Sequence, residues 1–85
     1  MAKCTIRYWA AAKEAAGIAE EQVDAATLGE ALDSARRLHP DDRFLRVLGV
    51  SSFLVDGAPV GRRAHGDVSV TDATVIEVLP PFAGG

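Results

Sequence analysis

Thr27-Leu28-Gly29-Glu30-Ala31-Leu32-Asp33-Ser34-Ala35-Arg36-Arg37-Leu38-His39-Pro40 is the stretch that reads as a long amphipathic helix. Thr27 and Glu30 fit a capping box, in which the hydroxyl accepts from the third helical amide and the carboxylate reaches back. Leu28, Ala31, Leu32, Ala35 and Leu38 recur at helical spacing on one face. Asp33, Arg36 and Arg37 lie off that face, and His39-Pro40 ends the run. A helix with one apolar face needs a second layer to cover it, and the flanking sequence supplies strands.

On the N-terminal side, Lys3 to Trp9 alternates polar and apolar residues, the period of a half-buried strand. That register sends Cys4, Ile6 and Tyr8 towards the core and Thr5, Arg7 and Trp9 away from it. The alanine-rich segment Ala10 to Ala16 predicts a turn or two of helix stopped by Gly17, and Glu21 to Asp24 predicts a second, weak strand. On the C-terminal side, Asp41 to Val50 reads as a connector with at most a short helical turn through Phe44, Leu45, Val47 and Leu48.

Val55-Asp56-Gly57-Ala58 is a hairpin signal, because an Asp-Gly pair supplies the two positive φ angles of a tight turn. The turn sets the register: Val55 faces Ala58, Leu54 faces Pro59 and Phe53 faces Val60. Phe53, Val55 and Val60 then point inward, with Leu54 and Pro59 outside. Gly61 to Thr71 is a loop containing a short extended Val68-Ser69-Val70. A last strand, Thr74 to Leu79, turns Ile76 and Val78 in and Val75, Glu77 and Leu79 out. Strand, weak strand, capped helix, hairpin and final strand predict an α+β chain whose mixed sheet carries one main helix on one face, which in this length is a β-grasp. The expected organisation is a domain over residues 1–79 and an extended tail over residues 80–85.

With 85 residues the chain has room for one core. A composition 48% hydrophobic and 25% charged suits a folded domain, and a net charge of −3 offers no field to attract nucleic acid. The single cysteine, Cys4, forbids an intrachain disulfide and an all-cysteine metal site. The opening Met1-Ala2-Lys3-Cys4-Thr5 has no apolar core of a signal peptide, and no run approaches the roughly 18 apolar residues of a membrane span, so a cytoplasmic location with no membrane partner is expected. No nucleophile–base arrangement or phosphate-binding glycine pattern is present, and His39 and His65 match no ligand motif. Cys4 lies on an inward strand position, where cysteine acts as a small hydrophobe. The chain is therefore expected to hold no metal or bound cofactor and to carry no catalytic machinery of its own.

Leu79-Pro80-Pro81-Phe82-Ala83-Gly84-Gly85 is the segment that points to chemistry. The two prolines lack amide donors, so the strand cannot continue, and they stiffen the chain towards polyproline II geometry. Six residues at about 3.1 Å each reach roughly 19 Å, enough to enter another protein's active site. Gly84 and Gly85 let a main chain pass where side chains cannot, and they leave a terminal carboxylate unhindered.

With Ile6-Arg7-Tyr8-Trp9-Ala10-Ala11-Ala12-Lys13, the helix from Thr27, the hairpin Leu54-Val55-Asp56-Gly57 and this tail, the chain resembles the ThiS/MoaD family of ubiquitin-like sulfur carriers, most of all its molybdopterin synthase small-subunit branch. The resemblance implies that an adenylyltransferase related to ubiquitin-activating enzymes uses ATP to turn the carboxylate of Gly85 into an acyl adenylate. A sulfurtransferase then supplies sulfur for a thiocarboxylate. It further implies that two copies bind a dimer of the molybdopterin synthase large subunit, giving a heterotetramer in which each tail delivers sulfur to precursor Z in molybdenum cofactor biosynthesis. Alternative customers are thiazole formation in thiamine synthesis, tRNA thiolation and amino-acid biosynthesis. A protein modifier joined to lysines uses the same acyl adenylate. A β-grasp iron–sulfur electron carrier would need about four cysteines, so one excludes it.

Trp9, Leu54, Pro59 and Leu79 share the sheet face opposite the helix by separate alternation arguments. Large apolar side chains on a wet face mark a partner site. Together with Pro80, Pro81, Phe82 and Ala83 they form the expected docking surface, and Gly84 and Gly85 the reacting end.

Overall fold

A computed structural model describes residues 1–81; residues 82–85, with the expectations placed on them, lie outside the described residues. The elements follow in the order β1 (Ala2–Tyr8), α1 (Ala10–Ala16), β2 (Glu20–Ala25), α2 (Leu28–Leu38), α3 (Asp42–Val50), β3 (Ser52–Val55), β4 (Ala58–Pro59), a 3-10 turn (His65–Asp67) and β5 (Val75–Leu79). The strands form one mixed sheet in the order β2-β1-β5-β3-β4. Its centre is the parallel pair β1 and β5, with Ile6 beside Ile76 and Tyr8 beside Val78. β2 flanks β1 and β3 flanks β5, both antiparallel. This is the expected β-grasp.

Alternation decides what is buried. Cys4, Ile6 and Tyr8 of β1, Val23 and Ala25 of β2, Phe53 of β3, and Ile76 and Val78 of β5 reach the core. Leu28, Ala31, Leu32 and Ala35 of α2 meet them from the other side. The predicted cap is present with its return bond one residue earlier than in a regular capping box: Glu30 N–H donates to Thr27 Oγ1 at 3.2 Å, and Glu30 Oε1 accepts from Ala26 N–H at 2.8 Å. The hairpin turn also has the expected backbone, with φ of 51° at Asp56 and 82° at Gly57. Asp56 does a second job there. Its N–H donates to Val75 O and its Oδ1 accepts from Val75 N–H, both at 2.9 Å, so the turn is clipped to the start of β5.

Four expectations need correction. Asp41 to Val50 is a helix, not a connector: Asp41 Oδ1 caps it by accepting from Phe44 N–H at 2.7 Å, and Phe44 and Leu48 are buried. Leu38 belongs to the helical stripe but is 54% exposed, because α2 ends there and runs past the sheet edge. Val68-Ser69-Val70 makes a single bridge from Ser69 to Thr27 rather than a strand, although both valines are buried. Val55, expected inside, is half-buried beside the hairpin turn.

Thr27→Ala removes one cap hydrogen bond and leaves Glu30 N–H without its side-chain partner. Urea unfolding should show a loss of about 1 kcal/mol, largely restored by Thr27→Ser. A Thr27→Ala variant as stable as the parent would show that the cap contributes nothing.

Candidate functional site: the outer sheet face and the root of the tail

The register of the sheet decides which residues share the face away from α2. Arg7 of β1 stands beside Glu77 of β5, Glu77 beside Leu54 of β3, and Leu54 beside Pro59 of β4, forming one row across the sheet. The next row starts with Ser52 beside Leu79. Trp9 continues it, since Trp9 N–H donates to Val78 O at 3.2 Å just past the end of β1. The predicted quartet Trp9, Leu54, Pro59 and Leu79 therefore does share one face. Trp9 is 46% exposed, Pro59 is exposed, and Leu54 and Leu79 are half-buried.

The apolar surface is not continuous. Glu77 sits among these residues, and its Oε1 accepts from the indole Nε1–H of Trp9 at 3.1 Å. The contact satisfies the carboxylate and pins the indole over β5, next to the strand that ends in Leu79. Trp9 also caps α1 in extended conformation, and the next residue, Ala10, has φ of 49°. A left-handed alanine costs roughly 1–2 kcal/mol, so the turn that holds Trp9 out of the core is strained. A groove of about 560 Å³ carries the surface round α1, lined by Trp9, Lys13, Gly17 and Ile18 among others.

After Leu79 the chain leaves the sheet through Pro80, half-buried, and Pro81, exposed. The parallel pairing places this exit beside Trp9. Phe82, Ala83, Gly84 and Gly85 lie outside the described residues.

Other candidates have structural roles. The Cys4 thiol is fully buried and donates to Val23 O at 3.7 Å. Burial pushes its pKa up, which keeps it an unreactive thiol. His65 packs edge-on against Phe53. Arg63, beside it in the loop, donates to Val60 O and Pro59 O. Among the described residues no group of three or more histidine, cysteine or carboxylate side chains could hold a metal ion, and no helix is long and apolar enough to cross a membrane.

A polar cluster under α2 and α3 has only a faint signal in the sequence. Glu21 Oε2 accepts from the Tyr8 hydroxyl at 2.6 Å and meets His39 Nε2 at 2.6 Å. The Tyr8, His39 and Phe44 rings pack together, with centroids 4.9 to 5.9 Å apart. The signal was Glu21 itself, a carboxylate on the same alternation parity as buried Val23. Burial first, then the hydrogen bond and charge of Glu21, push the Tyr8 pKa far above the usual phenol range.

The ThiS family model matches residues 6–85, nearly the whole chain and the tail with it. The chain belongs to the ThiS family. This is a family of ubiquitin-like sulfur carriers and modifiers. No curated protein sequence matches the chain. Among solved structures it resembles the small archaeal modifier protein 1 from Methanosarcina acetivorans, at 22% identity and TM-score 0.85 over 100% of this chain and 98% of that one. The small archaeal modifier protein 1 from Haloferax volcanii is 26% identical with TM-score 0.80, over 98% and 99% of the two chains. A complex of subunits 1 and 2 of molybdopterin-converting factor from Helicobacter pylori matches at 22% identity and TM-score 0.69, over 98% and 99%. The likenesses at 22% identity carry the fold.

Cys4 and Tyr8 both hold their protons to higher pH in the folded chain than in the unfolded one. Their contribution to stability is complete below about pH 8.5, where the unfolded thiol starts to ionise, and is lost as pH rises towards the native values. The urea midpoint should be flat up to about pH 8 and fall above it. Tyr8→Phe should make the fall above about pH 10 shallower. An unchanged slope in that variant would remove Tyr8 from the account.

Proposed function

We propose that this chain is a sulfur carrier of the molybdopterin synthase small-subunit kind, which presents Gly85 as a thiocarboxylate to a large-subunit active site. The observation that carries the reading is the family match extending through Leu79-Pro80-Pro81-Phe82-Ala83-Gly84-Gly85. The exit of that tail beside an exposed tryptophan supports it.

A carboxylate is a poor electrophile, because it would have to expel an oxide. An adenylyltransferase partner removes that obstacle by joining the Gly85 carboxylate to the adenylyl group of ATP with loss of pyrophosphate. The outer sulfur of a sulfurtransferase persulfide then attacks the acyl carbon and displaces AMP to give an acyl disulfide. A second thiol, as reductant, cleaves the S–S bond, ending as a disulfide with the sulfurtransferase cysteine and leaving a thiocarboxylate tethered to a stable domain. The domain's part is recognition and aim. Trp9, Leu54, Pro59 and Leu79 dock the large subunit and the activating enzyme, and Pro80 and Pro81 take the chain out of the sheet. Two copies on a large-subunit dimer give each active site its own tail. The Helicobacter pylori complex of subunits 1 and 2 supports a second-subunit partner, being a relative of the same fold in complex with one.

A second reading has an observation of its own. The Haloferax volcanii relative at 26% identity is a small archaeal modifier protein, so acylation of a partner's lysine is the competing use of the same adenylate. The two uses share the tail and differ in the nucleophile.

Co-expression with an adenylyltransferase and a sulfurtransferase, followed by intact mass measurement, should show an oxygen-to-sulfur replacement at the C-terminus. Deleting Gly84 and Gly85 should abolish it while leaving the unfolding curve unchanged. Sulfur loading in the truncated chain would sink the proposal, and lysine-linked adducts without thiocarboxylate would establish the modifier reading. Trp9→Ala should weaken binding of purified large subunit by about thirtyfold, or about 2 kcal/mol, and Arg62→Ala by far less. Equal affinities for Trp9→Ala and the parent would show that the outer face is not the interface.

A further inference from the structure

The sheet has two edges, and they are finished differently. β4 spans only Ala58–Pro59, and Pro59 has no donor, so that edge offers little to pair with. β2 is six residues long, and among the described residues no strand pairs with its outer side.

Hydrogen-bond parity identifies the open groups. Tyr8 N–H donates to Ala19 O at 2.8 Å, one step beyond the Arg7–Glu20 pair. In an antiparallel ladder bonded pairs alternate, so Glu21, Val23 and Ala25 bond towards β1. Glu20, Gln22 and Asp24 therefore turn their N–H and C=O groups outward. The amides on the other side of β1 agree: Thr5 and Trp9 donate towards β5, to Thr74 O and Val78 O.

A groove of about 400 Å³ runs beside this edge, between β2 and α2. Met1, Val23 and Leu38 give it apolar walls, and Ser34 and Arg37 complete its helical side. Leu38 is 54% exposed and Met1 88%, an unusual finish for surface next to open backbone. The adjoining hollow is mixed in charge, lined by Asp24, Glu30, Asp33 and Arg37, with Asp33 paired to Arg36 at 2.7 Å.

We propose that β2 is a docking edge for an extended protein segment in which Lys or Arg alternates with aliphatic residues. Such a segment adds a strand through the outward groups of Glu20, Gln22 and Asp24. Its residues opposite these three share the outer face, where cations meet carboxylates. The residues between them turn inward against Val23 and Leu38. Glu20 already contacts Arg7 at 3.5 Å, so Asp24 carries most of the charge selection. The same charges disfavour a second copy of this chain, because strands rich in carboxylates would face each other.

The test is titration of the full chain with a short blocked peptide alternating lysine and isoleucine, followed by amide chemical shifts and hydrogen exchange. Binding should be saturable and should slow exchange at Glu20, Gln22 and Asp24. A peptide alternating glutamate and isoleucine should bind at least tenfold more weakly. Gln22→Pro removes an outward donor that the β1 ladder does not use, and should weaken the lysine peptide at least tenfold. Should Gln22→Pro fail to fold, Leu38→Glu replaces it, with the same loss expected. Unaltered affinity in the folded variant, equal binding of the two peptides, no saturable binding, or shifts centred on Trp9 and Leu54 would each overturn the proposal.

Discussion

The parallel pairing of β1 with β5 is the constraint on which the rest of the molecule depends. It joins the first and last strands at the centre of the sheet, with every other element lying between them in sequence. It also sets the side-chain parity of both neighbours: Ile6 beside Ile76 and Tyr8 beside Val78 make one face core, and the opposite face collects Arg7, Glu77, Trp9 and Leu79. Parallel neighbours end at the same end of the sheet. The tail therefore leaves beside Trp9 without any loop to carry it there.

Local rules made most of this architecture legible. The cap of Thr27 on the Glu30 amide, the Asp56-Gly57 turn and the alternation in β1 and β5 are each decided by residues close in sequence, and each is present as read. The misses came from tertiary context. α3 has a capping aspartate but also an internal Gly49 and no second capping partner, so its helicity rests on Phe44 and Leu48 finding the core. Leu38 obeys helical spacing, yet nothing in the spacing tells where the sheet beneath stops. The Tyr8–Glu21–His39 contact joins three elements, and only the odd placement of Glu21 hinted at it. At the site, alternation sufficed to gather Trp9, Leu54, Pro59 and Leu79, but it was silent on Glu77 being tied to the indole.

On the proposed function the chain separates its duties in space, with chemistry falling to the tail and recognition to the faces and edges of the sheet over one packed core. The polar cluster beneath α2 and α3 adds to that packing, since a half-buried carboxylate with two partners tolerates few alternative arrangements. The family leaves the customer open, because acyl activation is common to sulfur transfer and protein modification. What distinguishes the two is the nucleophile that takes the activated acyl group.

The central parallel pair also has a mechanical consequence. Traction between Met1 and the tail pulls β1 and β5 in opposite directions along their common axis. Their ladder bonds are then loaded together, in shear, rather than opened one at a time. The Asp56 clip on Val75 adds two more bonds at the trailing end of β5. Resistance to such a pull is governed by the unfolding rate rather than by equilibrium stability. A domain gripped at its sheet while an enzyme draws in its tail is thus loaded along the direction in which its sheet resists best.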